Sequence, residues 1–341
     1  MKSMQAILLT QPGSLQNLKR ETVATPKPGV GEVLVEIYAS ALNHRDVWIV
    51  QGLYPNIRTP VILGSDGAGV IREVGEGVDP ACMGRAVIIN PSLHWGSNPR
   101  VQSHQYRILG LPDNGTQAEF VVVPIENVVD KPEYLSFEEA AAIPLGGLTG
   151  YRALFTQGHL QAGETVLLTG IGGGVATLML KMALAAGARV LVTSGSDEKI
   201  KKAVNLGALG GANYKEEGWG EKLMALAEPA GIDLIVDSAG GDGFFELTRI
   251  VNPGGRIVFF GATAGNPSRL DQRRMFWKQI TLQGTTMGTP QDFHEMVRLF
   301  EVHKIKPFID RIFSFNEFRE AYLRMWKGEQ FGKIVLKHRE K

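Results

Sequence analysis

Val166-Leu167-Leu168-Thr169-Gly170-Ile171-Gly172-Gly173-Gly174-Val175-Ala176 is the stretch on which the fold turns. An apolar run, a glycine cluster and a second apolar run follow one another, which reads as a strand, a tight loop and the start of a helix. Glycines at such a joint let the backbone approach a pyrophosphate, and the helix N-terminus behind them carries partial positive charge. A glycine cluster alone also serves plain turns. The flanking pattern decides between the two. Strand candidates recur at 165–169, 189–193, 232–236, 256–260 and 280–283, with a helix over 175–186 closed by Gly187 between the first two. Strands alternating with helices predict a doubly wound parallel sheet, an α/β fold that binds a dinucleotide at this joint through Gly173, Gly174 and Val175.

On either side of this region the texture differs. Before about residue 127 the chain shows short alternating runs broken by glycine and proline. Glu32-Val33-Leu34-Val35-Glu36-Ile37 and Phe120-Val121-Val122-Val123 read as strands, and Pro26-Lys27-Pro28-Gly29 and Gly64-Ser65-Asp66-Gly67 as turns. Ser136-Phe137-Glu138-Glu139 has capping-box spacing ahead of an alanine-rich helix. The C-terminal part predicts helices at 290–302 and near 316–326, then a short strand, Lys333-Ile334-Val335-Leu336.

The 341 residues are enough for two domains, and 36 Lys+Arg against 35 Asp+Glu leave a net charge of +1, which excludes a strongly basic nucleic-acid or membrane-surface protein. Cys82 is the one cysteine, so neither an internal disulfide nor a multi-cysteine zinc site can form within a chain, and a reducing, cytoplasmic setting is expected. The start has no signal-peptide pattern and no run of about 18 apolar residues occurs, so no membrane association is expected.

The second strand decides which dinucleotide binds. An Asp or Glu at its end would bond the ribose 2′-hydroxyl, but the sequence is Val192-Thr193-Ser194-Gly195-Ser196. Hydroxyl donors such as Ser194, with Lys199 as a point charge, suit a 2′-phosphate, which predicts NADPH over NADH. In the alternative, Lys199 is a solvated helix lysine and Asp197 takes the acid's part.

Across nearly its whole length the chain resembles the medium-chain dehydrogenase/reductase superfamily, most closely its zinc-free quinone-oxidoreductase-like branch. The resemblance is carried by Ala41-Leu42-Asn43-His44-Arg45-Asp46, Gly52-Leu53-Tyr54-Pro55, Leu63-Gly64-Ser65-Asp66-Gly67-Ala68-Gly69-Val70-Ile71, Ala118-Glu119-Phe120, Leu148-Thr149-Gly150-Tyr151, Asp233-Leu234-Ile235-Val236-Asp237 and Gly332-Lys333-Ile334-Val335-Leu336. It implies a GroES-like, mainly β catalytic domain (1–128 with 287–341), a Rossmann domain (129–286), an active site in the cleft between them, and a homodimer. Two of the family's fingerprint glycines fall on Ile171 and Ala176 here.

Metal-using members hold catalytic zinc at positions that fall on Asn43, Ser65 and Leu145. An amide, a hydroxyl and an isobutyl group cannot replace thiolate and imidazole, so no catalytic metal is expected. The 90–114 loop, where some relatives carry a four-cysteine zinc, has only His94 and His104, which read as solvated side chains.

Without a Lewis acid, an electron-poor acceptor such as a quinone or an α,β-unsaturated carbonyl is easier to reduce than an alcohol is to oxidise. The resemblance places Asn43 and Tyr54 in the cleft as donors. Asp46 has the spacing of a supporting carboxylate that pairs with Arg45, or is purely structural. Thr149 falls near the nicotinamide and Tyr214 at an adenosine-phosphate contact, while Lys333 is either a cofactor-phosphate contact or a surface lysine. Two other readings stay open: an alcohol or aldehyde dehydrogenase-type oxidoreductase, and a protein that holds NADPH without turnover.

Overall fold

The glycine joint has the predicted form. Strand Thr165–Leu168 leads through the glycines into helix Gly174–Ala185, with Gly173 as its N-cap. The computed structural model describes residues 2–339, in two units. One runs to Gly146 and takes in Gly288–Val297 and the chain from Lys306 onward, so it carries on past the expected boundary at 128. The other comprises Gly147–Met287 and Arg298–Ile305.

The second unit is built on a six-stranded sheet of Thr165–Leu168, Arg189–Ser194, Gly210–Asn213, Ile232–Asp237, Val251–Phe259 and Thr281–Gly284, all paired in parallel. Counted along the chain, they lie side by side in the order third, second, first, fourth, fifth, sixth. The order reverses between the first and the fourth strand, where α/β sheets of this kind open a crevice at their C-terminal ends. Val166, Leu167, Val190, Leu191, Leu234 and Ile235 are fully buried, as expected of strands covered on both faces.

The sequence reading missed the strand Gly210–Asn213, because Gly-Gly-Ala-Asn has no β-branched residue. Packing explains its composition: a Cβ on Gly211 would lie 2.7 Å from both Val192 Cγ2 and the Val192 carbonyl oxygen. The expected 256–260 strand starts earlier, at Val251, and the expected 280–283 strand is Thr281–Gly284.

The first unit holds a three-stranded antiparallel sheet (Ser3–Leu9, Leu18–Ala24, Val61–Ile62) and a seven-stranded one. The latter centres on Glu32–Ala41, which pairs antiparallel with Asp66–Val74, with Phe120–Pro124 and with the late strand Lys333–Lys337. The predicted turn at 64–67 is shorter than read: Gly64 turns at φ +96°, and Asp66 already begins a strand opposite Ala41. The capping box at Ser136 forms, with its hydroxyl accepting the Glu139 N–H at 3.2 Å and Glu139 accepting the Ser136 N–H at 2.9 Å. The late helices are Pro290–His303 and Phe318–Trp326, the second preceded by a 3-10 turn, Phe315–Glu317. Among the described residues, no helix is long and apolar enough to cross a membrane.

Glycines also fix the loop that leads into Asp66. The Gly115 N–H donates to the Ile62 carbonyl at 2.7 Å, and the Thr116 N–H to the Gly64 carbonyl at 2.9 Å. A Cβ on Gly115 would lie 2.0 Å from the Gly64 carbonyl oxygen, so a methyl group must push these two chain segments apart. Gly115→Ala is expected to destabilise the protein by about 1–3 kcal/mol, the cost of overpacking, read as a lower urea midpoint at unchanged m-value.

Candidate functional site

Strand register assembles the chemistry of the first unit. Val335 lies opposite Ala41, and Ala41 opposite Asp66. Extending the first pairing by two residues sets Lys333 beside Asn43, the N-cap of helix His44–Gln51. Three strands far apart in sequence thus deliver three polar side chains to one buried point. The Lys333 ammonium lies 2.7 Å from Asp66 Oδ2 and donates to Asn43 Oδ1 at 2.8 Å. Asn43 Nδ2 donates to the same Asp66 Oδ2 at 3.0 Å, and Asp66 Oδ1 accepts the Leu145 N–H at 2.7 Å. Lys333 is only 2% exposed and Asp66 fully buried. Lys333 is therefore no surface lysine, and its charge is committed to Asp66 and Asn43.

The neighbouring residues are fixed just as closely. Asp46 Oδ2 accepts the Asn43 backbone N–H at 2.8 Å. The pairing expected between Asp46 and Arg45 is not formed. Arg45 instead donates to Ser65 Oγ at 2.7 Å and to the Leu109 carbonyl at 3.0 Å, while Ser65 donates to that carbonyl at 2.7 Å. Its guanidinium lies 5.1 Å from the centre of the half-buried Tyr54 ring. Burial pushes the Asp46 carboxyl up to about 6, against the lowering effects of the Arg45 charge and the Asn43 N–H. The Tyr106 hydroxyl, with Arg45 and Tyr54 among the charges that act on it, is raised chiefly by burial.

The donor set does not suit zinc. Asn43 and Ser65 offer neutral oxygens and nitrogens already spent on Lys333, Asp66, Arg45 and Leu109, and Leu145 contributes only its backbone N–H to Asp66. A cation, the Lys333 ammonium, already lies against Asn43 and Asp66. Among the described residues, no group of three or more His, Cys, Asp or Glu side chains could hold a metal ion; His94 and His104 share the lining of one surface pocket.

The second unit has the features of a dinucleotide cradle. Gly170 and Gly172 sit at φ +68° and +117°, a region that side chains resist, and no side chain caps the helix that Gly173 opens. Gly173, Gly174 and Val175 are half-buried. A Cβ on Gly172 would lie 2.7 Å from Lys199 Cδ and 3.4 Å from its ammonium, so that lysine lies across the loop. Thr169 donates to Asp237 Oδ1 at 2.6 Å across the switch point.

At the end of the second strand, the Tyr214 N–H donates to the Ser194 carbonyl at 3.1 Å, and Ser194 Oγ accepts the Ser196 N–H at 3.3 Å. A Cβ on Gly195 would touch Tyr214 Oη and Lys215 Cε, both at 2.8 Å. Tyr214 and Lys215 therefore converge on this turn beside Ser194, while Lys199 lies over the Gly172 loop. Lys215 has no signal in the sequence: the resemblance marks its neighbour Tyr214, and nothing in the residue pattern marks the lysine itself. Asp197, the alternative ribose acid, accepts a hydrogen bond from Asn213 at 3.0 Å. Thr149 is 6% exposed, and its hydroxyl lies 3.7 Å from Met287 Sδ.

Two family models match the chain: an alcohol dehydrogenase GroES-like domain over residues 29–133 and a zinc-binding dehydrogenase domain over 174–302. The zinc-type alcohol dehydrogenase-like protein YogA of Leptosphaeria maculans is 37% identical, over 94% of either chain. An acryloyl-coenzyme A reductase of Sulfurisphaera tokodaii is 31% identical, over 98% of this chain and 100% of its own. The crystal structure of an NAD-dependent alcohol dehydrogenase superposes with a TM-score of 0.92 at 35% identity, over 98% of this chain and 100% of that one. The two units are thus a GroES-like domain and a Rossmann domain, and the chain is an oxidoreductase of the medium-chain dehydrogenase/reductase superfamily.

Proposed function

We propose that this chain is an NADPH-dependent, metal-independent reductase of quinones or α,β-unsaturated carbonyl compounds. The observation that carries the reading is the donor set at Asn43, Ser65 and Leu145, which offers hydrogen bonds and a neighbouring ammonium but no thiolate or imidazole. The likeness to an acryloyl-coenzyme A reductase agrees with an activated double bond as the acceptor. The likeness to alcohol dehydrogenases favours the rival reading, an alcohol or aldehyde substrate. That rival lacks a partner for the alkoxide at these positions.

NADPH, when bound, would supply the hydride. Gly173, Gly174 and Val175 would hold its pyrophosphate at the helix N-terminus, with Thr149 on the nicotinamide side. Ser194, Lys199, Tyr214 and Lys215 would take the 2′-phosphate. When hydride reaches the β-carbon of an enone, the electron pair of the double bond moves onto the carbonyl oxygen. Asn43 donates the second hydrogen of Nδ2 to that oxygen. Tyr54, half-buried and so in exchange with solvent, returns a proton to the α-carbon. Asp46 holds the backbone of Asn43 in place.

NADPH consumption after dialysis against a chelator, across quinones, enones and enals with NADH in parallel, tests the whole reading. Faster oxidation of NADPH, indifferent to the chelator, is expected; zinc-restored alcohol oxidation would move the assignment to the rival. Asn43→Ala is expected to lower kcat by about a hundredfold or more, the roughly 2.7–4 kcal/mol of a lost oxyanion donor. Lys199→Ala and Lys215→Ala should each raise the Kd for NADPH about tenfold to a hundredfold, at roughly 1.5–3 kcal/mol per charge-assisted bond, and leave that for NADH unchanged in fluorescence titrations.

The Asp46 carboxyl predicts a pH dependence. Its folded value of about 6 lies above the ordinary 3.8, so the fold favours the protonated form. That contribution is complete below the ordinary value and lost as pH rises through about 6. Asp46→Asn is therefore expected to gain stability relative to wild type as pH rises from about 4 to 7, by on the order of 2–3 kcal/mol, in urea unfolding at each pH.

A further inference from the structure

Asn43 is the donor in the proposed reaction, and what surrounds it has more to say. An amide can be turned either way about its terminal bond, and only its partners decide which end faces where. Here both partners are unambiguous. An ammonium can only donate, so Lys333 at 2.8 Å must face Oδ1; a carboxylate that also accepts from the Leu145 N–H can only accept, so Asp66 at 3.0 Å must face Nδ2. The Lys333–Asp66 pair at 2.7 Å closes the triangle, and all three residues are buried.

One orientation of Asn43 therefore satisfies every group, whereas the flipped amide would face N–H to ammonium and oxygen to carboxylate. A positive charge on Oδ1 also draws electron density out of the amide nitrogen, which makes its second hydrogen a stronger donor. That hydrogen has no acceptor among the described residues.

We propose that Lys333 and Asp66 are positioning residues for Asn43. They fix its carboxamide in one orientation and polarise it, so that Lys333 delivers its charge to the acceptor oxygen through the amide rather than to the cofactor phosphates. This rests on the reductase reading above, and goes beyond it in assigning Lys333 to the acceptor side of the reaction.

A double-mutant cycle separates the possibilities. Wild type, Lys333→Met, Asn43→Ala and the double variant are compared by kcat, by KM for acceptor and for NADPH, and by NADPH affinity in fluorescence titration. Lys333→Met is expected to lower kcat about tenfold or more, the loss of a charge-assisted interaction, with NADPH affinity within about twofold of wild type. In the Asn43→Ala background the same substitution should cost nothing further. Additive losses, or a Kd for NADPH that rises tenfold on Lys333→Met, would overturn the proposal and return the lysine to the cofactor phosphates.

Lys333→Met leaves the Asp66 carboxylate buried and unpaired, so it is a candidate for misfolding. Lys333→Met/Asp66→Asn removes both charges and answers the same question: it must lose turnover as Lys333→Met does, and wild-type turnover in this folded variant overturns the proposal. If wild type oxidises NADPH with no member of the acceptor panel, the reductase reading falls and the proposal with it. If wild type turns over and the cycle is additive, only the positioning role falls.

Discussion

A buried ion pair organises the first unit. Taking an ammonium and a carboxylate out of water costs several kcal/mol apiece, recovered only if each finds its partner in good geometry and the remaining valences are filled. Lys333 and Asp66 meet that demand through Asn43 and the Leu145 N–H. A slip of one residue in the pairing of Lys333–Lys337 with Glu32–Ala41 would turn Lys333 to the other face of its strand and strand Asp66 without a counter-charge. The pair thus penalises wrong registers, and the same constraint that holds the C-terminal strand in the N-terminal sheet also completes the site.

The second unit is held by burial rather than by charge. Its central strands are apolar on both faces, and its polar groups gather at the strand ends. There the glycines act twice. Gly170 and Gly172 permit the left-handed turns of the loop, and the absence of a side chain on Gly172 and Gly195 leaves room for Lys199, Tyr214 and Lys215 to close over the backbone. A cationic rim arises because the backbone beneath it is bare.

What could be read from the sequence followed the range of each interaction. The glycine joint, the capping box at Ser136 and the order of strands and helices depend on residues a few positions apart, and they were legible. Asn43, Tyr54 and Lys333 could be named from the resemblance, but the contact between Lys333 and Asp66 could not, because it spans 267 positions and exists only through the register of three strands. The pairing expected of Arg45 with Asp46 does not form, for a local reason. Asp46 is taken by the Asn43 N–H at the helix N-terminus, which leaves Arg45 to reach Ser65 and the Leu109 carbonyl. The strand Gly210–Asn213 gives no propensity signal, as it has no β-branched residue, and Lys215 after it is marked neither by pattern nor by the resemblance that marks Tyr214.

On the proposed reading, Asn43, Ser65 and Leu145 stand where metal-using relatives hold zinc, and that changes more than affinity for the metal. A zinc ion accepts a lone pair directly and lowers the pKa of the alcohol or water it binds, which is what the oxidation of an unactivated alcohol requires. An ammonium has no empty orbital. Lys333 acts only through the field it sets up and the hydrogens it donates, and both are spent on Asn43 and Asp66. The carboxylate beside it cancels most of its charge at long range, and both charges touch the amide, one at each end. On the proposed reading, the remaining electrophile is one polarised N–H, aimed by its neighbours. It can stabilise an oxygen that gains charge as hydride arrives, though it cannot generate an alkoxide, so the geometry favours acceptors that bring their own activation in a conjugated carbonyl or a quinone ring.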